Sequence, residues 1–275
     1  MLRYPCCIGT TGVNETGLGG WRCGRAIAAL LAGALLLAGC GEQRGGDTGA
    51  KRVIVSAAAS LSEALASCQQ KIGGVEPKLS FAGSDELAAQ IRQGVKPDVY
   101  LAANTKLPAA LRSEGLLGDP IEFATNELVL AVPADSKIDA IDDLTRGGTT
   151  IVLGTQEVPF GSYTRTVLSR LPERQRRALL DNVRSEEPDV KSAVGKLLQG
   201  AADASFTYNT DVTATGGRLK AIRLPGTLRP VVAYGGGVVD RASDPQAAKT
   251  YLDDVTDGAC QQALRDAGFG PPPAS

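Results

Sequence analysis

The feature that most limits the fold is a strand–helix alternation that runs, stops and starts again. Lys51 to Ser56 carries Val53, Ile54 and Val55, a buried-strand signal, and an apolar-periodic stretch from Leu61 to Ile72 predicts a helix. Leu79 to Ala82 reads as a strand, Glu86 to Gln93 as a helix and Val99 to Ala102 as a strand, with Pro97-Asp98 marking the turn before it. Ile121 to Pro133 reads as one further strand around Glu127 to Val132. The pattern then restarts. Strands are expected at Thr150 to Leu153, Ala204 to Thr207 and Val231 to Val239, and helices at Tyr163 to Arg170, Glu173 to Leu180, Val190 to Gln199 and most of Gln246 to Gly268.

Alternation of this kind gives mostly parallel sheets covered by helices, and its restart gives two such lobes. The fold class expected is therefore α/β. The chain should enter the second lobe near Glu127 to Pro133 and return near Pro225 to Val232. The boundaries drawn are 51–127 with 228–275 for the first lobe and 128–227 for the second. Ligands of open α/β sheets bind where strand carboxyl ends meet helix starts, so the cleft between the lobes is the expected site.

The first fifty residues read as an address. Arg22 and Arg25 precede an apolar run from Ala26 to Ala38, too short to span a membrane. The ending Leu37-Ala38-Gly39-Cys40 resembles the lipobox of bacterial lipoproteins. That resemblance implies a signal peptide over 1–39 and a lipid on Cys40, anchoring the exported chain to the outer face of the cell membrane or in the periplasm. Residues 40–50 are Gly-rich and polar, a flexible tether. Cys6, Cys7 and Cys23 fall in the discarded part and are assigned no function. The mature chain keeps only Cys68, on the first helix, and Cys260, on the last. In an oxidising compartment these read as one bridge, or alternatively as two buried thiols.

Composition excludes several chemistries. The chain has no histidine, which removes Ser-His-Asp and Cys-His catalysis and every His-ligated metal site. A net charge of -1 and no polybasic tract argue against nucleic acid, and Arg170 to Arg177 reads as a solvated helix face. Aromatic residues are only 4% of the chain, so a small non-aromatic ligand is the easier fit.

Four strand-to-helix turns then stand out. Ser60 and Glu63 have capping-box spacing, and Ser84 is a second N-cap candidate. Asp85 and Glu86 beside it would oppose an anion unless they point away. Val158-Pro159-Phe160-Gly161-Ser162 and Glu187-Pro188-Asp189-Val190 open two more helices, with Asp189 as a cap. Tyr208 closes a strand with a phenol. Most such turns only cap helices. Together, however, they offer unpaired N–H and O–H donors with no Lys or Arg among them, which suits a fully ionised anion in a dry cleft. A protonated oxyanion would bring an O–H that a donor-only site leaves unpaired, so molybdate, tungstate or sulfate is favoured over hydrogen phosphate.

At these residues the chain resembles the periplasmic molybdate-binding proteins of bacterial ABC importers, a family with the type II periplasmic-binding-protein fold. The likeness rests on Ala57-Ala58-Ala59-Ser60-Leu61, Phe81-Ala82-Gly83-Ser84, Gln90-Ile91 with Gly94, Pro97-Asp98-Val99, Asn126-Glu127-Leu128-Val129, Val158 to Tyr163, Asp189-Val190 and Tyr208. It implies that the oxyanion is held by the hydroxyls and amides of Ser60 and Ser84, the amides of Phe160 and Val190, and the Tyr208 hydroxyl. It also implies no enzyme activity, no cofactor, and molybdenum bound only as molybdate. The expected partner is a permease with its ATPase, and the expected state is a monomer. Phe160 departs from a position that is often small, and its ring is expected over the cleft mouth. Two other classes are weighed. A Ser-Lys hydrolase on Ser60 lacks a local Ser-x-x-Lys, and a regulator's effector domain lacks DNA-binding helices.

Overall fold

A computed structural model describes residues 49–273. The signal peptide, the tether up to residue 48 and the Cys40 anchor lie outside the described residues.

Two five-stranded sheets carry the fold. The first holds β1 (Lys51–Ala58), β2 (Val75–Ala82), β3 (Val99–Ala102), β4 (Ile121–Asn126) and β10 (Val232–Val238), in the order β2-β1-β3-β10-β4. The second holds β5 (Leu128–Pro133), β6 (Ile151–Gly154), β7 (Val183–Glu187), β8 (Ala204–Tyr208) and β9 (Leu219–Arg223), in the order β7-β6-β8-β5-β9. The two sheets repeat one design. Three strands pair in parallel, and the fourth in order is antiparallel to both neighbours: β10 in the first sheet, β5 in the second.

Helices cover each sheet and define two lobes. The first lobe has α1 (Ser62–Cys68), α2 (Ser84–Arg92), α3 (Lys106–Ser113), α8 (Pro245–Asp257) and α9 (Ala259–Asp266). The second has α4 (Pro159–Ser169), α5 (Glu173–Leu180), α6 (Val190–Leu198) and α7 (Asn209–Thr213). Strands β3, β6 and β8 are buried at every position, as expected of parallel strands covered on both faces.

Several sequence expectations change in detail. Ile121 to Pro133 is two strands in two different sheets, broken at Glu127. The Asn126 carboxamide accepts the Glu127 N–H at 2.9 Å, which takes that donor out of the ladder where the chain crosses between lobes. Strands β7 and β9 and helix α3 carry no clear sequence signal. Both strands lie at sheet edges and mix charged with apolar residues, and α3 contains Pro108, which its first turn tolerates. The C-terminal helical stretch divides at Gly258, where Asp254 accepts from the Ala259 and Cys260 amides at 3.3 and 2.8 Å and so caps α9.

Two devices hold the first lobe together across long sequence separations. Cys68 and Cys260 are joined in a disulfide between α1 and α9, with Cα atoms 5.0 Å apart. Buried Asp98 accepts from the Ile54 amide at 2.7 Å and from the Ser243 amide and hydroxyl at 2.6 and 2.7 Å. A buried carboxylate with three donors is satisfied, and here it ties β1 to the segment before α8.

Candidate functional site

The carboxyl ends of the strands in the two lobes face one narrow cleft. Its walls come from the turns after β1 (Ala58, Ala59, Ser60), β2 (Gly83, Ser84) and β3 (Ala103), and from those after β6 (Val158, Pro159, Phe160) and β7 (Asp189, Val190), with Tyr208 ending β8. All five residues singled out in the sequence, Ser60, Ser84, Phe160, Val190 and Tyr208, are therefore brought together, and all are buried.

The reasons for their placement differ from the capping roles expected. Ser60 is not the N-cap of α1. It sits in a 3-10 turn, Ala59–Leu61, ahead of that helix, and its hydroxyl pairs instead with Tyr234 Oη at 2.8 Å. Glu63 bonds Ser62 and Lys191 rather than the backbone of a capping box. Ser84 is likewise one residue inside α2, with Gly83 as the cap. That shift frees the Ser84 hydroxyl from the helix. Its oxygen accepts the Ala103 N–H at 3.1 Å, so its own proton is available to the cleft. Asp189 does cap α6. Both its oxygens are engaged by Ser192, at 3.0 Å from the amide and 2.7 Å from the hydroxyl, so its charge is turned back into the helix start.

Helix α4 begins at Pro159, four residues ahead of the expected Tyr163, because proline suits a first helical position. Phe160 and Val190 thus lie in the first turns of α4 and α6, where amides have no carbonyl four residues back to bond. The Phe160 ring does not cover the cleft mouth. It is 1% exposed and packs against Gly154 at the end of β6. A Cβ at Gly161 would overlap the Thr155 carbonyl oxygen, so only glycine there lets α4 press its first turn onto that strand end.

The electrostatics are those of a neutral donor site. Among the described residues, no Lys or Arg lines the cleft. Tyr208 is buried, and its hydroxyl has the Tyr234 side chain beside it. Burial pushes its phenol far up, so it keeps its proton. Neither Asp85 nor Glu86 lines the cleft. Asp85 is nonetheless raised, first by burial and then by Glu157 and Glu86 nearby, against its own and the Glu86 amide. Among the described residues, the Ser60 hydroxyl pairs with a phenol and the Ser84 hydroxyl with a backbone amide.

Sequence reasoning missed three residues around the cleft: Tyr234 and Asn126 behind Ser60, and Lys191. Lys191 follows Val190, but its amine turns away to Glu63 and Asp211. Tyr234 lay in a strand signal and had nothing to mark its hydroxyl.

Comparison with known proteins gives concordant matches. Residues 52–270 match the family model described as bacterial extracellular solute-binding protein. The chain is 34% identical over 258 residues to the molybdate-binding protein ModA of Mycobacterium tuberculosis strain H37Rv, covering 88% of this chain and 97% of that one. Among solved structures, the periplasmic molybdate-binding protein of Azotobacter vinelandii aligns with a TM-score of 0.71 at 18% identity, over 80% of this chain and all of that one. The sulfate-binding protein SubI of M. tuberculosis aligns at 0.70 with 17% identity, over 80% and 87%. At these identities the two structural likenesses speak for the fold alone.

Proposed function

The chain belongs to the bacterial extracellular solute-binding proteins, and on that premise we propose that it captures molybdate for an ABC importer. The observation that carries this reading is the donor set of the cleft. Two serine hydroxyls of the first lobe, a buried phenol and the first turns of α4 and α6 in the second lobe line it, with no cationic side chain among the described lining residues. Preorganised neutral donors in a closed cleft suit a fully ionised tetrahedral dianion. The 34% identity to a protein named for molybdate supports the choice within that class.

In this reading Ser60, Ser84, Phe160, Val190 and Tyr208 hold the anion. Molybdenum enters only as molybdate, no cofactor takes part, and the loaded monomer docks on a permease driven by its ATPase. Residues 51–127 with 228–275 and residues 128–227 are the lobes that close. The chain is cut after residue 39, Cys40 carries the lipid, and the tether to residue 50 leaves the binding lobes free of the membrane surface. Cys40→Ser should then move the protein out of the membrane fraction, and retention there would refute the anchor.

Calorimetric titration of the full-length protein with molybdate, tungstate, sulfate and phosphate at equal ionic strength tests the ligand. Tight one-to-one molybdate binding, with sulfate and phosphate far weaker, is expected. Binding of none of the four would sink the oxyanion reading.

A further inference from the structure

We propose that Asn126 is a positioning residue at the hinge: its carboxamide pins the closed arrangement of the two lobes through Thr210, and so adds to the affinity for the anion between them. The proposal deepens the oxyanion reading and rests on it. It also gives a role to the stretch Asn126-Glu127-Leu128-Val129, none of which lines the cleft.

The lobe boundary on the outgoing chain falls between two consecutive residues. Asn126 ends β4 and stands opposite Val232 of β10 in the first sheet. The Glu127 carbonyl accepts the Asn209 N–H at 2.9 Å, which extends the pairing of β5 with β8 in the second sheet. The returning chain enters β10 at Val232, so both crossings meet at this level. A rotation of one lobe against the other must be taken up in the dihedrals beside the 126–127 peptide and in the return segment.

The Asn126 side chain reaches across that boundary. Its Oδ1 accepts the Glu127 N–H at 2.9 Å, which makes Nδ2 the donating end. Nδ2 donates to Thr210 Oγ1 at 2.9 Å. Thr210 is buried, belongs to α7 in the second lobe and stands two residues beyond Tyr208. On the first-lobe side Nδ2 lies 3.4 Å from Tyr234 Oη, which pairs with Ser60 at 2.8 Å and with the Tyr208 side chain. One carboxamide thus bonds both sides of the hinge peptide, and one phenol separates it from an anion ligand of each lobe.

A side chain whose backbone is fixed in one lobe keeps so short a contact with the other only over a narrow range of inter-lobe angle. Opening the cleft exchanges the Asn126–Thr210 bond for bonds to water. The bond therefore counts in the closed state alone, shifts the balance towards closure and raises the apparent anion affinity by the same factor. It is a bond between neutral groups, so salt does not screen it as it screens the exposed pair of Lys191 with Glu63.

The experiment compares Thr210→Val, Asn126→Ala and the double variant in the full-length protein, with molybdate affinity read by calorimetry and release by stopped flow. Thr210→Val removes the hydroxyl and keeps the side-chain shape. It should weaken molybdate about three- to tenfold, through faster release at an unchanged association rate. In the Asn126→Ala background the same change should cost nothing further, because its partner is already gone. A Thr210→Val chain that releases molybdate at the original rate overturns the proposal even if its melting midpoint falls, since a purely structural bond lowers the midpoint and leaves release alone. Losses that multiply in the double variant overturn it too. If Asn126→Ala does not fold, the release rate of Thr210→Val decides alone. If the unaltered protein binds no molybdate, the oxyanion reading falls first and the proposal with it.

Discussion

Lys191 reaches from the second lobe to Glu63 in the first, its Nζ lying 2.8 and 2.7 Å from the two carboxylate oxygens. The same amine is 2.8 Å from Asp211, whose side chain is wholly buried in the second lobe. One cation therefore serves two carboxylates with different duties. The Glu63 pair joins the lobes, and the Asp211 pair neutralises a buried charge.

Glu63→Gln removes only the joining pair. Glu63 is about half exposed, so solvent screens the pair and little stability should be lost. Molybdate should bind two- to fivefold more weakly, or about 0.4–1 kcal/mol, chiefly through faster release. Lys191→Met should behave otherwise, lowering stability by about 3–5 kcal/mol because Asp211 is left buried and unpaired. Denaturant unfolding alongside stopped-flow release separates the two, and equal stability losses in both variants would contradict the division of duties.

Asp211 should also shape the acid side of the stability curve. Burial pushes its carboxyl from 3.8 up to about 6, against the pull of Lys191. Burial draws Lys191 down, but Asp211 and Glu63 outweigh it and leave its amine raised, so it stays charged throughout this range. Between pH 3.8 and about 6 the folded chain holds a proton at Asp211 that the unfolded chain has released. Stability from this group is thus full below that window and falls as pH rises through it. Urea midpoints measured from pH 4 to 7 should show the decline, and Asp211→Asn should flatten it. A decline of the same slope in the variant would assign it to another group.

Gly83 should be the most sensitive small residue at the cleft. Its backbone, at φ -58 and ψ 136, would accept alanine without strain. A Cβ there would overlap the carbonyl oxygen of Pro188 in the second lobe. Gly83→Ala should therefore hold the lobes apart, weakening molybdate by tenfold or more while the melting midpoint of the free protein stays near its original value. Unaltered affinity would show that the lobes need not approach this closely to bind.

The Cys68–Cys260 bridge closes a loop spanning 192 positions of sequence. Removing it through Cys68→Ser with Cys260→Ser should lower stability by about 2–5 kcal/mol. Anion affinity should change little, since neither cysteine lines the cleft. A large affinity loss at temperatures where the variant is folded would tie the bridge to the site.

Much of this molecule is legible one residue at a time, because local patterns carry it. The period-2 and period-3.6 apolar runs located most strands and helices, and Ser60, Ser84, Phe160, Val190 and Tyr208 were found because every strand-to-helix turn leaves donors unpaired wherever it lies. The edge strands β7 and β9 escaped because half-covered strands mix charge with apolar residues. What the tertiary structure alone decided is how those donors are used. Ser60 and Ser84 are not caps: the Ser60 hydroxyl pairs with Tyr234 from β10, the Ser84 oxygen accepts the Ala103 amide after β3, and both partners come from chain distant in sequence. Nothing in the sequence marks Lys191, and folding sets it between Glu63 of the first lobe and Asp211 of its own. Hydrogen-bond direction and charge pairing depend on which groups meet in space, and a linear pattern holds no record of that.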